Sequence, residues 1–360
     1  MKKHYFLILI LTILFFSCKK DKDDEKPIPS SANAFVTFSL PGQISSVINQ
    51  GAHTIVVTMP FGIKLDSLVT ALFTISPSAT IKIGTVNQVS GQTLNNFSSP
   101  ITYTITAENG TQIQDWTVTA DYETYFYLST DYPQASHAFY MNVATTGLSA
   151  FSLGSSGEGK IWNYTGLATD YVDTIKYLLP SQHLSSSAFP TATYVFSDNS
   201  MSIPIDMFAN LYTDSAVFIG GHENYSGFGM NMAINSNLTN MIFPSSIGTS
   251  FTDVGTIVKD TTIDYNGTMA PVTLKVTLNI SSTIDANGVV TTSQGSFNCL
   301  RDHRIQITNL KVLLYGTIEL PYGGSDTLRT YNYLNKEKGY PVVTIEVDGA
   351  GNIIKIKHQQ

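Results

Sequence analysis

Three stretches place titratable or nucleophilic side chains close enough in sequence to do chemistry. Gly221-His222-Glu223-Asn224 is the most polar cluster containing a histidine, and Asp285-Ala286-Asn287-Gly288 has the opening residues of a calcium loop. Cys299, Arg301, Asp302, His303 and Arg304 bring a thiol, an imidazole and the makings of an ion pair into six positions. Each has a plainer reading. An EF-hand loop needs an oxygen ligand at its fifth position and an acid at its twelfth, and Val289 and Ser296 stand there, so a hairpin turn is expected. A nucleophilic Cys299 needs a base within reach, and His303, four residues on in a strand, is about 13 Å away. Cys299 is therefore expected to be a buried thiol beside Phe297 and Leu300. If Phe297 and Cys299 face inward, alternation carries Arg301 inward and turns Asp302 outward, and a buried guanidinium calls for a carboxylate partner. His222, set among glycines, reads as part of a solvated turn.

The chain has no HExxH, no paired CxxC and no His pair at i, i+4, so neither a metal site nor a cofactor is expected. GxSxG is also absent, and no catalytic residue is assigned. For binding, aromatic faces that stack on sugar rings are the candidates. Trp162 and Tyr164 share one side of a strand and form either a platform or a core ridge, with the core favoured by the lack of other anchors there. Tyr225 and Phe228 sit in a glycine-rich loop between Gly220 and Gly229 and are the better candidates for an exposed ligand surface.

These residues must be carried by strands. Phe35 to Leu40, Thr54 to Met59, Thr80 to Ile83, Ile101 to Thr106 and Asp115 to Thr119 alternate apolar and polar residues, and Asn109-Gly110 makes a hairpin of the last two. Leu65 to Phe73 is the one plausible helical stretch, with an extended conformation as its alternative. From about Asp121 the spacing lengthens, with strands over Lys160–Leu167, 216–220, 272–280, 288–292 and 305–317, and a closing hairpin of 341–348 with 352–357. The expected fold is all-β. Residues 34–120 should form an immunoglobulin-like β-sandwich, and 121–360 a larger antiparallel β-sandwich-type domain.

Composition agrees. Of 360 residues 42% are hydrophobic and only 13% charged, with 19 Tyr and 19 Phe, which suits sheets whose solvated face is covered by Thr and Tyr. The net charge is −7, and loss of Lys2 and Lys3 with a leader would leave 18 basic against 27 acidic residues. An acidic surface repels phosphates, so no nucleic-acid partner is expected.

The N-terminus supplies an address. Lys2-Lys3, an apolar run from Tyr5 to Phe16 and Ser17 have the parts of a secretory signal, and the run is too short to span a bilayer. Phe15-Phe16-Ser17-Cys18 resembles a bacterial lipobox, which implies a signal peptide over 1–17 and a lipid on Cys18. Residues 18–33 then form a tether, whose Lys22-Asp23-Asp24-Glu25 resembles the export signal of Bacteroidetes outer-surface lipoproteins.

The run from Phe38-Ser39-Leu40-Pro41 through Trp116-Thr117-Val118 is similar to an uncharacterised Ig-like domain at the N-terminus of Bacteroidetes surface lipoproteins. Trp162-Asn163-Tyr164-Thr165-Gly166-Leu167, 243–253 and 295–301 resemble a β-rich domain of the same group, also without assigned function. Ser67, Thr174, Ser215, Thr261 and Thr327 each follow an aspartate, as in Bacteroidetes O-glycosylation sites.

The resulting expectation is a lipid-anchored, outward-facing outer-membrane protein. It would attach to the membrane through Cys18 and bind an extracellular glycan or protein without catalysis. The alternative is an extracellular hydrolase acting on polysaccharide or protein from 121–360. A structural part in an envelope complex is a third reading.

Overall fold

The computed structural model describes residues 28–198, 205–225 and 228–360, apart from the side chains of 224–228. Cys18, the leader and residues 18–27 of the tether lie outside the described residues, as do the side chains of Tyr225 and Phe228.

Ten strands build the small domain: β1 (Phe35–Ser39), β2 (Ser45–Asn49), β3 (Thr54–Met59), β4 (Leu68–Thr70), β5 (Leu72–Ile75), β6 (Thr80–Ile83), β7 (Val86–Asn87), β8 (Leu94–Asn96), β9 (Ile101–Thr106) and β10 (Ile113–Tyr122). β2-β3-β10-β9-β6-β7 form one six-stranded sheet, while β1-β5 and β4-β8 pair separately. The β9–β10 hairpin turns at Gly110, whose φ of 73° suits a residue without Cβ. Alternation works as the sequence implies: Ile55, Val57 and Met59 are buried, and Val56 between them is exposed. The β1–β5 pair faces the large sheet through aromatic rings, with Phe35 edge-on to Tyr103 at 5.6 Å and to Trp116 at 5.5 Å. The 65–73 stretch takes the extended alternative, through β4 and β5, and forms no helix.

The remaining strands are β11 (His137–Ala144), β12 (Gly157–Asn163), β13 (Tyr171–Leu178), β14 (Tyr194–Asp198), β15 (Ile205–Leu211), β16 (Ser215–Tyr225), β17 (Phe228–Ile242), β18 (Ser250–Tyr265), β19 (Thr268–Thr292), β20 (Gly295–Leu314), β21 (Ile318–Leu334), β22 (Val343–Val347) and β23 (Ile353–Gln359). Every strand but β12 belongs to a ring: β11-β13 through β20, then β21-β22-β23, with β23 back on β11. This is a closed twelve-stranded barrel, and it corrects the sandwich expected for 121–360. Alternation along a strand is the same in both architectures. What differs is whether the first and last strands meet, and here Met141 to Ala144 pair with Ile356 to Gln359. Closure removes the two edges an open sheet would expose.

A closed barrel buries residues on both faces where loops cover its outside. Met141, Ile175, Tyr177, Tyr194, Ala209, Met241, Ile284, Leu300 and Leu334 come from strands all around the ring and fill the interior together with Tyr127 and Tyr132. Outside, Trp162, Tyr164, Cys299, Tyr333, Val343 and Ile345 form a second core, packed against Phe151, Leu153 and Leu167. β12 is the strand left out of the ring. It lies parallel to β19 from Ala286 to Thr291, beyond the point where β18 stops.

Candidate functional site

The small domain meets the barrel through the loop after β3. Phe61 leaves that loop and is buried against Tyr125 and Tyr122, with ring centroids 5.8 and 6.0 Å away, and so joins the barrel's interior cluster. Tyr122, at the end of β10, donates its hydroxyl to the Ile63 carbonyl at 2.7 Å. Its ring lies directly on the backbone of Gly159 in β12: a Cβ there would fall 2.1 Å from the ring. Gly159 N–H in turn donates to Asn287 Oδ1 at 2.9 Å. One residue over, Gly288 lets β19 approach so closely that a Cβ would meet the Lys160 carbonyl oxygen at 2.0 Å.

These contacts make the floor of a groove of about 510 Å³ between the two domains. Lys64, Asp66 and Asp121 line it from the small domain, and Glu158 and Lys160 from β12. Among the described residues none of the five is held in a salt bridge. Their carboxylates accept, and their ammonium groups donate, without first breaking an ion pair. Burial first, and then the negative charges of Asp66 and Glu158, raise the Tyr122 hydroxyl above its ordinary pKa, against a backbone hydrogen bond at Leu65. Three acidic and two basic side chains leave the groove near charge balance. It is suited to a polyhydroxylated neutral ligand, whose hydroxyls satisfy both kinds of group.

A second groove, of about 530 Å³, runs between the 148–154 loop and Gly351-Asn352-Ile353. Trp162 and Tyr164 lie beneath it at 3% and 1% exposure. The indole N–H donates to the Leu153 carbonyl at 2.9 Å, and the Tyr164 and Tyr333 hydroxyls are 2.8 Å apart. The two rings thus stand in the core and present no open face.

His222 lies within β16, not in a loop, and residues 220–225 pair antiparallel with residues 228–233 of β17. The fold brings His183, Ser185, Asp206 and Asn231 to it, a grouping hidden in sequence because its members are spread over four segments. His183 Nδ1 accepts the Ser185 N–H at 3.0 Å, so the neutral ring carries its proton on Nε2 and donates it to Asp206 at 3.0 Å. His222 Nδ1 faces both Ser185 Oγ, at 2.9 Å, and Asn231 Oδ1, at 2.7 Å. The amide oxygen can only accept, so Nδ1 carries a proton and cannot serve as base toward Ser185.

Asp285 to Gly288 is strand interior with a bulge, not a hairpin turn. Asp285 binds Arg301 at both oxygens, 2.8 and 2.9 Å, which gives the carboxylate partner a buried guanidinium needs. Arg301 faces the outer core, whereas Asp302 is turned into the barrel and is 0% exposed, bonded by Ser282 and Asn332 and paired with Arg304 at 3.3 Å. Outward from the Cys299 face therefore means inward to the lumen, not to solvent. Cys299 is buried as expected, and burial pushes its thiol pKa well up. Among the described residues no group of three His, Cys, Asp or Glu side chains could hold a metal, and no helix is long and apolar enough to cross a membrane. Ser67 is exposed, while Thr174, Ser215, Thr261 and Thr327 are half-buried.

Residues 35–120 match the family model described as "SGBP, N-terminal", the N-terminal domain of a Bacteroidetes family of starch/glycan-binding proteins. The match lies within the small domain. No relative was found among curated protein sequences. Among solved structures, the chain is similar to a Bacteroides thetaiotaomicron protein described as a "putative glycoside hydrolase", at 13% identity, covering 93% of this chain and 91% of that one, with a TM-score of 0.23.

Proposed function

We propose that this chain is a surface protein that binds an extracellular glycan without cleaving it, anchored in the bacterial outer membrane by a lipid on Cys18 and facing outward. The observation that carries this reading is the match of residues 35–120 to a glycan-binding family. The groove between that Ig-like domain and the barrel supplies a suitable place, with acids and bases that form no salt bridge among the described residues, on a tyrosine floor. Glycan is preferred over an extracellular protein as ligand because the groove is polar and concave, whereas protein interfaces are centred on buried apolar anchors. The hydrolase alternative draws no support from the His222 cluster, where Ser185 lacks a base.

Electrophoresis of the purified protein through gels containing starch, xylan, mannan or pectin tests the binding. Retardation in at least one gel, without release of reducing ends, is the expected outcome; free migration in all four speaks against it. For the anchor, Cys18→Ala should move the protein from the membrane to the soluble fraction, and unchanged fractionation would contradict the lipid assignment.

A further inference from the structure

Inside the barrel one lysine faces two carboxylates. Lys357 on β23 is 5% exposed, and Asp173 on β13 and Asp198 on β14 are 6% and 8% exposed. β11 separates β23 from β13, so the lysine reaches across a strand to its partners. Nζ lies 2.9 Å from Asp173 Oδ2 and 3.8 Å from Asp198 Oδ2. The nearer contact has the length of an ion pair without the orientation of a hydrogen bond, for Asp173 Oδ2 is buried with no hydrogen-bond partner. Ile175 and Tyr177, on the same face of β13, are buried beside it.

Holding three ions in such a site is costly, several kcal/mol for each by the usual desolvation argument, even with the pairing returned. Proton transfer from the ammonium to a carboxylate removes two of the charges. It also creates a neutral amine in contact with a carboxylic acid, reactants held at a separation equivalent to a very high effective concentration. We propose that Lys357 and Asp173 condense into an intramolecular isopeptide bond, with Asp198 carrying the proton. Nζ of the neutral amine attacks Cγ of protonated Asp173, forming the C–N bond. Asp198 takes the proton released by Nζ and returns it to the departing hydroxyl. The C–O bond breaks and one water leaves. Nothing is oxidised or reduced, and Asp198 ends as it began. Asp173 is the partner because it is nearer by almost 1 Å. The bond would tie the last strand to β13 over the β11–β23 seam at which the barrel closes, and it is independent of any glycan reading.

Mass spectrometry of the full-length protein, denatured and digested with trypsin, tests this. Cleavage after Lys160, Lys176 and Lys355 should give a branched species joining residues 161–176 to 356–360, one water lighter than the two peptides together, with Lys357 uncut. Finding only the linear 161–176 peptide and cleavage at Lys357 overturns the proposal. Asp198→Asn, checked for folding by circular dichroism, should yield the linear peptides. Full cross-linking in that variant would remove Asp198 from the reaction, and Lys357→Arg should stay linear in all conditions.

Discussion

At the scale of residues, burial of charge governs the barrel wall. Arg301 has its guanidinium satisfied by Asp285 and by the carbonyls of Leu153 and Gly154, so it fastens the 148–154 loop to β20. Arg301→Ala strands Asp285 and should lower stability by about 3–5 kcal/mol in urea unfolding; a change under about 1 kcal/mol would mean the pair is not what holds the loop. His358 provides a pH signature. Burial lowers its pKa below the ordinary 6.5, against a backbone hydrogen bond at Gln359. The folded chain then binds fewer protons than the unfolded one between the two values, so this contribution is present above pH 6.5 and is lost as pH falls. Thermal melts at pH 7.5 and 5.0 should show a lower midpoint in acid, and His358→Gln should flatten the difference. The need of Arg301 for a carboxylate was legible from strand alternation. Its identity was not, because the bulge at Asp285 breaks the alternation that would have pointed to it.

At the scale of elements, β12 decides the shape of the groove. Two close approaches hold it, Gly159 under Tyr122 and Gly288 against Lys160. Gly159 has φ of 61°, so a side chain there is strained as well as crowded. Gly159→Val should displace the Tyr122 ring, lower the melting temperature and weaken ligand binding; an unchanged midpoint would show that the domains do not depend on this contact. Most strands of the small domain could be read in advance, since β3, β6 and β9 follow alternation between clear turn residues. β19 could not. Its 25 residues contain Asp285-Ala286-Asn287-Gly288, a composition that marks a turn when exposed but here sits in a bulge between β12 and β20. The His222 segment misleads for a similar reason: Gly220 and Gly221 serve close packing against Phe189 and Ile205, not loop flexibility.

At the scale of the whole molecule, closure and stacking are the two features that strand patterns do not encode. Closure depends on pairing between residues 141–144 and 356–359, over two hundred positions apart. Removal of residues 353–360 should open the ring, expose Ile345 and Val343, and produce a protein that binds a hydrophobic dye at neutral pH. Retention of the native melt would contradict the closed barrel. Stacking depends on Phe61, one aromatic from a Pro-Phe-Gly loop, entering the barrel's core. Together they create the interdomain groove, which no single segment announces. Calorimetric titration of the polysaccharide that retards the wild-type protein, repeated with an Asp66→Asn, Glu158→Gln double variant of unchanged melting temperature, tests glycan binding in this groove most directly. The variant is expected to bind at least about tenfold more weakly, roughly 1.4 kcal/mol. Equal affinity in the two proteins would contradict the placement of the site in the groove, and no heat with any polysaccharide would contradict glycan binding itself.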